Sequence, residues 1–167
     1  LSGFASQADI LINARAAADA VGGTKMDRPE WIDVLPSKKE VYVTLTNNSG
    51  RGVGTNPAID AANPRPSNVY GHIVRWRYGN DFSDDSFTWN IFALAGDPAV
   101  PSHGSTIVGD KYGSPDGLYI APSGRMWIQT DVSSSTIDSG AYSGFGNNQM
   151  LCANPATKET RRFLVGP

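Results

Sequence analysis

Arg28-Pro29-Glu30-Trp31 returns later in the chain as Ser114-Pro115-Asp116-Gly117, and the likeness runs well past four residues. Pro29-Glu30-Trp31-Ile32 through Leu35-Pro36-Ser37 matches Pro115-Asp116-Gly117-Leu118 through Ala121-Pro122-Ser123. One residue drops out after the two Pro-Ser turns, and Glu40-Val41-Tyr42-Val43 then matches Arg125-Met126-Trp127-Ile128. The chain repeats itself, with a carboxylate, Glu30 or Asp116, at the same place in each copy.

Reading outward from the first copy, Trp31 to Leu35 is a short strand and Pro36-Ser37-Lys38-Lys39 a hairpin turn. Glu40 to Thr46 is a second strand, with Val41, Val43 and Leu45 alternating on one face. Residues 47–68, rich in Asn, Gly, Pro and Ala, form a loop of a length that is usually functional or mobile. Strand signals resume over 71–77 and 87–94, before a second loop over 95–113. The second copy gives the same four strands, at 118–121, 125–130, 149–153 and 161–165, with a Gly/Ser-rich loop over 131–146. Two successive four-stranded meanders predict an all-β fold, a β-propeller fragment of about two blades covering 29–95 and 115–167.

One N-terminal helix is expected over 6–20. Ser6 is its N-cap, Asp9 takes the acidic place of a capping box, and Ile10, Leu11, Ala14, Ala17 and Ala18 make one apolar, packing face. Gly22-Gly23 stops it. Two blades cannot close a ring of the usual four to eight or so. The chain, which opens at Leu1 without a start Met and stops at Pro167, therefore reads as a fragment of a larger propeller, one that self-associates or leaves apolar blade faces exposed.

Composition agrees with a single folded domain: 40% apolar and 18% charged residues in 167, with abundant Gly and Pro. A net charge of −2 gives no footprint for nucleic acid. No apolar run is long enough to span a membrane, and no signal-peptide pattern opens the chain. The single cysteine excludes an internal disulfide and a multi-cysteine zinc site.

In a propeller the first strand of each blade lines the central channel, so carboxylates at its start point inward at one height. Confined together they repel unless a cation compensates them, and oxygen ligands without thiolates suit a hard ion, Ca²⁺ first. Alternatively, Glu30 and Asp116 cap turns after their prolines.

Several stretches carry a family resemblance. They include Lys25-Met26-Asp27-Arg28-Pro29-Glu30-Trp31-Ile32, Tyr42-Val43-Thr44-Leu45-Thr46-Asn47-Asn48-Ser49, Tyr70-Gly71-His72-Ile73-Val74-Arg75-Trp76 and Phe92-Ala93-Leu94-Ala95-Gly96-Asp97-Pro98. Further on lie Ser114-Pro115-Asp116-Gly117-Leu118, Trp127-Ile128-Gln129-Thr130-Asp131 and Phe145-Gly146-Asn147-Asn148-Gln149-Met150. From Phe4 to Pro167 the chain resembles part of the second half of the PhoX family of secreted bacterial alkaline phosphatases. The resemblance implies a six-bladed propeller carrying calcium and iron (Ca²⁺ and Fe³⁺). It also implies export by the twin-arginine route to the periplasm or beyond, and hydrolysis of phosphate monoesters. Carried over by residue, Arg28 would contact the phosphoryl group, and Glu30 and Asp116 would be metal ligands. Asp27 is a candidate outer partner, and Arg28 could instead pair with Glu30 or Asp27.

The family's iron-binding cysteine lies upstream of the matched region. Cys152 matches no ligand position and reads as a buried small residue. The chain alone is therefore expected to be inactive. His72 and His103 lack a ligand partner at useful spacing and read as structural or solvated. Gly50-Arg51-Gly52-Val53-Gly54 only superficially resembles a phosphate loop, and the paired asparagines at 47–48 and 147–148 could face ions or water, although paired Asn is ordinary in turns. A calcium-stabilised binding module and a lactonase- or phytase-like propeller hydrolase remain alternatives. The arginine beside Glu30 favours the phosphatase, because a purely structural calcium site has no use for a cation there.

Overall fold

The repeat is present in the backbone. In the computed structural model, which describes residues 2–167, strands β1 (Pro29–Leu35), β2 (Glu40–Leu45), β3 (His72–Tyr78) and β4 (Phe87–Leu94) form an antiparallel meander in chain order. A short β5 (Val108–Gly109) precedes the second meander, β6 (Pro115–Ile120), β7 (Met126–Thr130), β8 (Gln149–Ala153) and β9 (Glu159–Val165). β5 pairs parallel to β9, so the second sheet has five strands in the order β5-β9-β8-β7-β6. All eight expected strands are present, and the extra β5 falls within the expected 95–113 loop. β1, β6 and β9 start earlier than their apolar runs suggest. Both sheets are open, and neither closes on itself.

The two copies share an unusual entry. Arg28 and Ser114, at equivalent positions, both adopt left-handed backbone, with φ of 49° and 51°. Each turns the chain so that its carbonyl accepts a hydrogen bond from the far end of the next strand, Thr46 N at 3.1 Å and Asp131 N at 2.9 Å. In each copy the register then slips through a β-bulge, between Pro29 and Ile32 and between Pro115 and Leu118. A bulge leaves a residue unpaired and re-aims its side chain. Glu30 and Asp116 both lie inside these bulges.

The expected sharing of one face by Val43 and Leu45 in β2 is present, but the opposite face is not left to solvent, since all six residues of the strand are buried. Tyr42 faces the second sheet, where it joins Ile73, Phe92, Leu118, Met126, Ile128 and Leu151 in the main core. Val43 and Leu45 face away, with Val74, onto Met26, Trp76 and Ile91. β2 lies between β1 and β3 with packing on both sides, which hides its alternation. Polar bonds fix the height of one sheet against the other. Thr44 Oγ1 donates to Asp116 O at 2.6 Å and Thr46 Oγ1 to Pro115 O at 3.0 Å, while Asp33 Oδ2 accepts from Ile120 N at 2.6 Å.

The outward faces carry apolar side chains without cover. Ile32 is 58% exposed on the first sheet. On the second, Phe163 is 68% exposed and stands edge-on to Trp127 at 5.3 Å. Cys152, expected to be buried, is half-buried on this face, because Leu151 and Ala153 on either side point into the core and β-strand side chains alternate.

The single helix expected over 6–20 is instead two, α1 (Gln7–Ile12) and α2 (Ala14–Ala20), broken at Asn13. Ser6 Oγ accepts from Asp9 N at 3.1 Å as foreseen, but Asp9 Oδ2 reaches back to Ala5 N at 3.0 Å. The Asn13 side chain donates to Asp9 O at 3.1 Å and Asp9 Oδ1 at 2.8 Å, competing with the helical ladder. Nor is this a packing helix. Ala17 alone is buried in it, while Leu11 and Ile12 face solvent.

Candidate functional site

β1 and β6 run side by side and begin at the same end, which brings Arg28, Glu30 and Asp116 together. The proline after each left-handed residue fixes the next backbone angle, and the bulge then turns the carboxylate out of the ladder. Arg28 Nη2 lies 3.3 Å from Glu30 Oε1, and Nη1 donates to Asn47 Oδ1 at 3.1 Å. The Arg28 side chain is 53% exposed and that of Glu30 34%. A guanidinium carries five N–H donors in a planar fork, so Arg28 keeps donors free for an incoming anion.

Asp116 is half-buried and held above the ordinary carboxylate range. Burial is the main cause, followed by the negative charges of Glu30 and Asp131, with Arg28 opposing them. The two carboxylates that the repeat made equivalent are thus near enough to repel. Asp131 is a third carboxylate that sequence reading missed. Its signal in the sequence was its place at the end of Trp127-Ile128-Gln129-Thr130-Asp131, just past the expected 125–130 strand, and in the structure its backbone N–H meets the left-handed Ser114.

The side-chain types fit a hard cation, since carboxylates gather where Arg28 offsets their mutual repulsion only in part. They do not complete a site. Among the described residues, no three His, Cys, Asp or Glu side chains converge closely enough to hold a metal ion.

Asp27 does not take part. It is fully buried and points into the 47–68 loop, where Oδ1 accepts from Arg51 Nε at 2.7 Å and Asn48 Nδ2 at 2.9 Å. Its Oδ2 accepts from Asn68 Nδ2 at 2.9 Å. Arg51 is 1% exposed and also donates to Ala58 O at 3.0 Å and to Lys25 O, so its loop is no phosphate cradle.

His72 is buried, donates from Nε2 to Ala62 O at 2.7 Å and accepts from Asn68 Nδ2 at 3.0 Å; burial holds its pKa below the usual imidazole value. His103 accepts from Asp97 N at 3.1 Å and meets Tyr70 OH at 2.9 Å. Both are structural. Asn48 and Asn148 shape turns, through Gly50 N at 3.0 Å and Val132 N at 2.6 Å, but Asn47 reaches Arg28.

The family model described as alkaline phosphatase PhoX matches residues 1–167. Among solved structures, Pseudomonas fluorescens PhoX in complex with vanadate, a transition state analogue, is similar at 49% sequence identity with a TM-score of 0.88. The similarity covers 99% of this chain and 29% of that one, so this chain spans under a third of that protein's length. No curated protein matches. With the family model matched from end to end, the chain belongs to the alkaline phosphatase PhoX family.

Proposed function

We propose that this chain is a segment of a metal-dependent alkaline phosphatase that hydrolyses phosphate monoesters. In this reading Arg28 contacts the phosphoryl group and Glu30 and Asp116 are metal ligands. The observation that carries it is Arg28 itself, tethered by Glu30 and Asn47, half-exposed, and set among carboxylates at the end where β1 and β6 begin. A guanidinium there binds phosphate oxygens through paired, charge-assisted hydrogen bonds and stabilises the charge that grows on them during transfer. Calcium and iron, when bound, would polarise the phosphoryl oxygens as Lewis acids. Glu30 and Asp116 would supply only part of their ligands, so the isolated chain should be inactive.

The rest of the protein would complete both site and fold. The uncovered apolar faces around Ile32 and Phe163 are what blades of a larger propeller would present to their neighbours. Export by the twin-arginine route to the periplasm or the exterior belongs to the same reading.

The test is release of phosphate from p-nitrophenyl phosphate by the complete protein loaded with calcium and iron. Arg28→Ala should lower kcat on the order of a hundredfold or more, the usual cost of removing a donor to developing charge. Absence of hydrolysis by the complete protein, or full activity in Arg28→Ala, would show the reading to be wrong.

A further inference from the structure

A file of hydrogen bonds leads from Arg28 into the core, and its direction is fixed by its far end. The carbonyl of Val69 can only accept, so Tyr142 gives it its one hydroxyl hydrogen, at 2.5 Å. The Tyr142 oxygen must then accept from Ser114 Oγ, 2.6 Å away, which uses the one hydrogen of that serine. Ser114 Oγ in turn accepts from Asn47 Nδ2 at 3.0 Å. With its nitrogen committed to Ser114, the Asn47 amide turns Oδ1 toward Arg28, where Nη1 donates at 3.1 Å.

We propose that Asn47 is a positioning residue for Arg28, held in its working orientation by Ser114 and Tyr142. The inference rests on the reading of Arg28 as the phosphoryl contact. Ser114 and Tyr142 are buried, Asn47 is half-buried and Arg28 is exposed, so the file runs from rigid core to mobile surface. Tyr142 is itself clamped edge-on between Tyr70 and Phe145, with ring centroids at 5.6 and 5.4 Å. An exposed arginine otherwise samples many rotamers, and each phosphate it binds must bear the cost of ordering them. Two anchors, Glu30 on one nitrogen and Asn47 on another, fix the fork beforehand.

The repeat gives this arrangement its logic. Arg28 and Ser114 occupy the same left-handed position in the two copies. One copy places the phosphoryl contact there, and the other places a buried hydroxyl that orients its tether. Asn47 follows β2 in the first sheet and Ser114 precedes β6 in the second, so the file also couples the arginine to the docking of the two sheets.

The experiment uses the complete metal-loaded protein, with p-nitrophenyl phosphate as substrate and inorganic phosphate as competitive inhibitor. Asn47→Ala should lower kcat/KM on the order of tenfold and weaken phosphate inhibition by a similar factor, since small misplacements of a binding group are costly. Its melting temperature should stay near that of the parent. Tyr142→Phe, which keeps the ring and loses only the hydroxyl, should shift both quantities in the same direction by a smaller factor. On an Arg28→Ala background, Asn47→Ala should cost less than about twofold more, because a residue acting through Arg28 has nothing left to act on. Parental kinetics in Asn47→Ala beside an impaired Arg28→Ala overturn this inference alone, as does an equal loss on both backgrounds. Full activity in Arg28→Ala overturns the phosphoryl-contact reading and this inference with it.

Discussion

Replacing Asp27 by alanine should destabilise the protein by about 3–5 kcal/mol, the range for breaking a buried ion pair from one side. The carboxylate is fully buried and takes hydrogen bonds from Arg51 Nε at 2.7 Å and from Asn48 and Asn68 Nδ2 at 2.9 Å each. Removing it leaves the 1% exposed guanidinium of Arg51 with two backbone carbonyls and, at 3.9 Å on the rim, Asp60. Two amide N–H groups, of Asn48 and Asn68, lose their acceptor in the same step, and that loss is contained within the total of about 3–5 kcal/mol rather than added to it. At a typical urea m-value of about 2 kcal/mol/M, the midpoint should fall by about 2 M. Asp27→Asn should cost less, because one oxygen still faces Arg51 while the new NH₂ confronts the Asn68 donor. Asp27→Leu combined with Arg51→Met should be milder than Asp27→Ala, since no buried charge is then left alone. Urea unfolding of the four proteins, followed by tryptophan fluorescence, measures these differences. A loss under about 1 kcal/mol in Asp27→Ala, or a double variant no better than the single, would refute the view that this pair pins the 47–68 loop.

Two further predictions concern the opposite end of the sheets and the close backbone approach just before β3. Glu40 accepts from the Tyr42 hydroxyl and Arg77 Nε, with Arg75 Nη1 at 3.9 Å. Burial alone would raise its pKa, but the hydrogen bonds from Tyr42 and Arg77 and the charges of Arg77 and Arg75 outweigh it and hold the carboxyl below its ordinary 4.5. A pKa lower folded than unfolded gives stability that is complete above the unfolded value and lost as pH falls through the folded one. The melting-temperature gap between parent and Glu40→Gln should therefore be full at pH 7 and shrink as pH falls below about 4.5; a gap that does not narrow on acidification would count against it. Gly71, at φ 71°, leaves no space for a Cβ, which would sit 2.0 Å from Thr46 O and 2.4 Å from Leu45 O. Gly71→Ala should cost about 3 kcal/mol or more, against about 1 kcal/mol for Gly54→Ala, where the conformation is also left-handed but nothing lies within 4 Å. Equal urea midpoints for the two variants would falsify the steric argument.

What the sequence made legible was local. Alternation and turn chemistry depend on neighbours in the chain, and so the strands at 87–94 and 149–153 fall where their residues say. The equivalence of Glu30 and Asp116 was legible because a repeat puts equivalent residues at equivalent heights. The left-handed turns at Arg28 and Ser114 were not, since neither residue is glycine and nothing local demands a positive φ. Adjacency suggested Asp27 as a partner for Arg28, but the turn at Arg28 sends the two side chains to opposite environments. Asn47, read as an ordinary turn residue, and Asp131, given no role, were missed for a common reason. Their importance depends on which strand ends meet across the two sheets, and that is set by bulges and by the hydroxyl bonds of Thr44 and Thr46. The break at Asn13 reflects a competition between side chain and ladder that helical spacing does not register.

Those threonine bonds also explain how an unfavourable grouping of charge persists. Glu30 and Asp131 each repel Asp116, a repulsion that adds to burial, the larger cause, in raising its pKa. Against it stands the core between the sheets, in which Tyr42, Phe92, Met126, Ile128 and Leu151 are almost wholly withdrawn from water. Each such side chain contributes roughly 1.5–3 kcal/mol when fully buried, and sliding the sheets apart to relax the carboxylates would uncover several at once. Thr44 and Thr46 then fix the remaining freedom, because their hydroxyls bond the backbone of Asp116 and Pro115 and so set the height of one bulge against the other. The carboxylates are therefore brought near one another by the fold itself, and the cost of doing so is met during folding. Loss of the Thr44 hydroxyl would loosen that arrangement without touching a charged residue, which separates the scaffold's contribution from that of the carboxylates themselves.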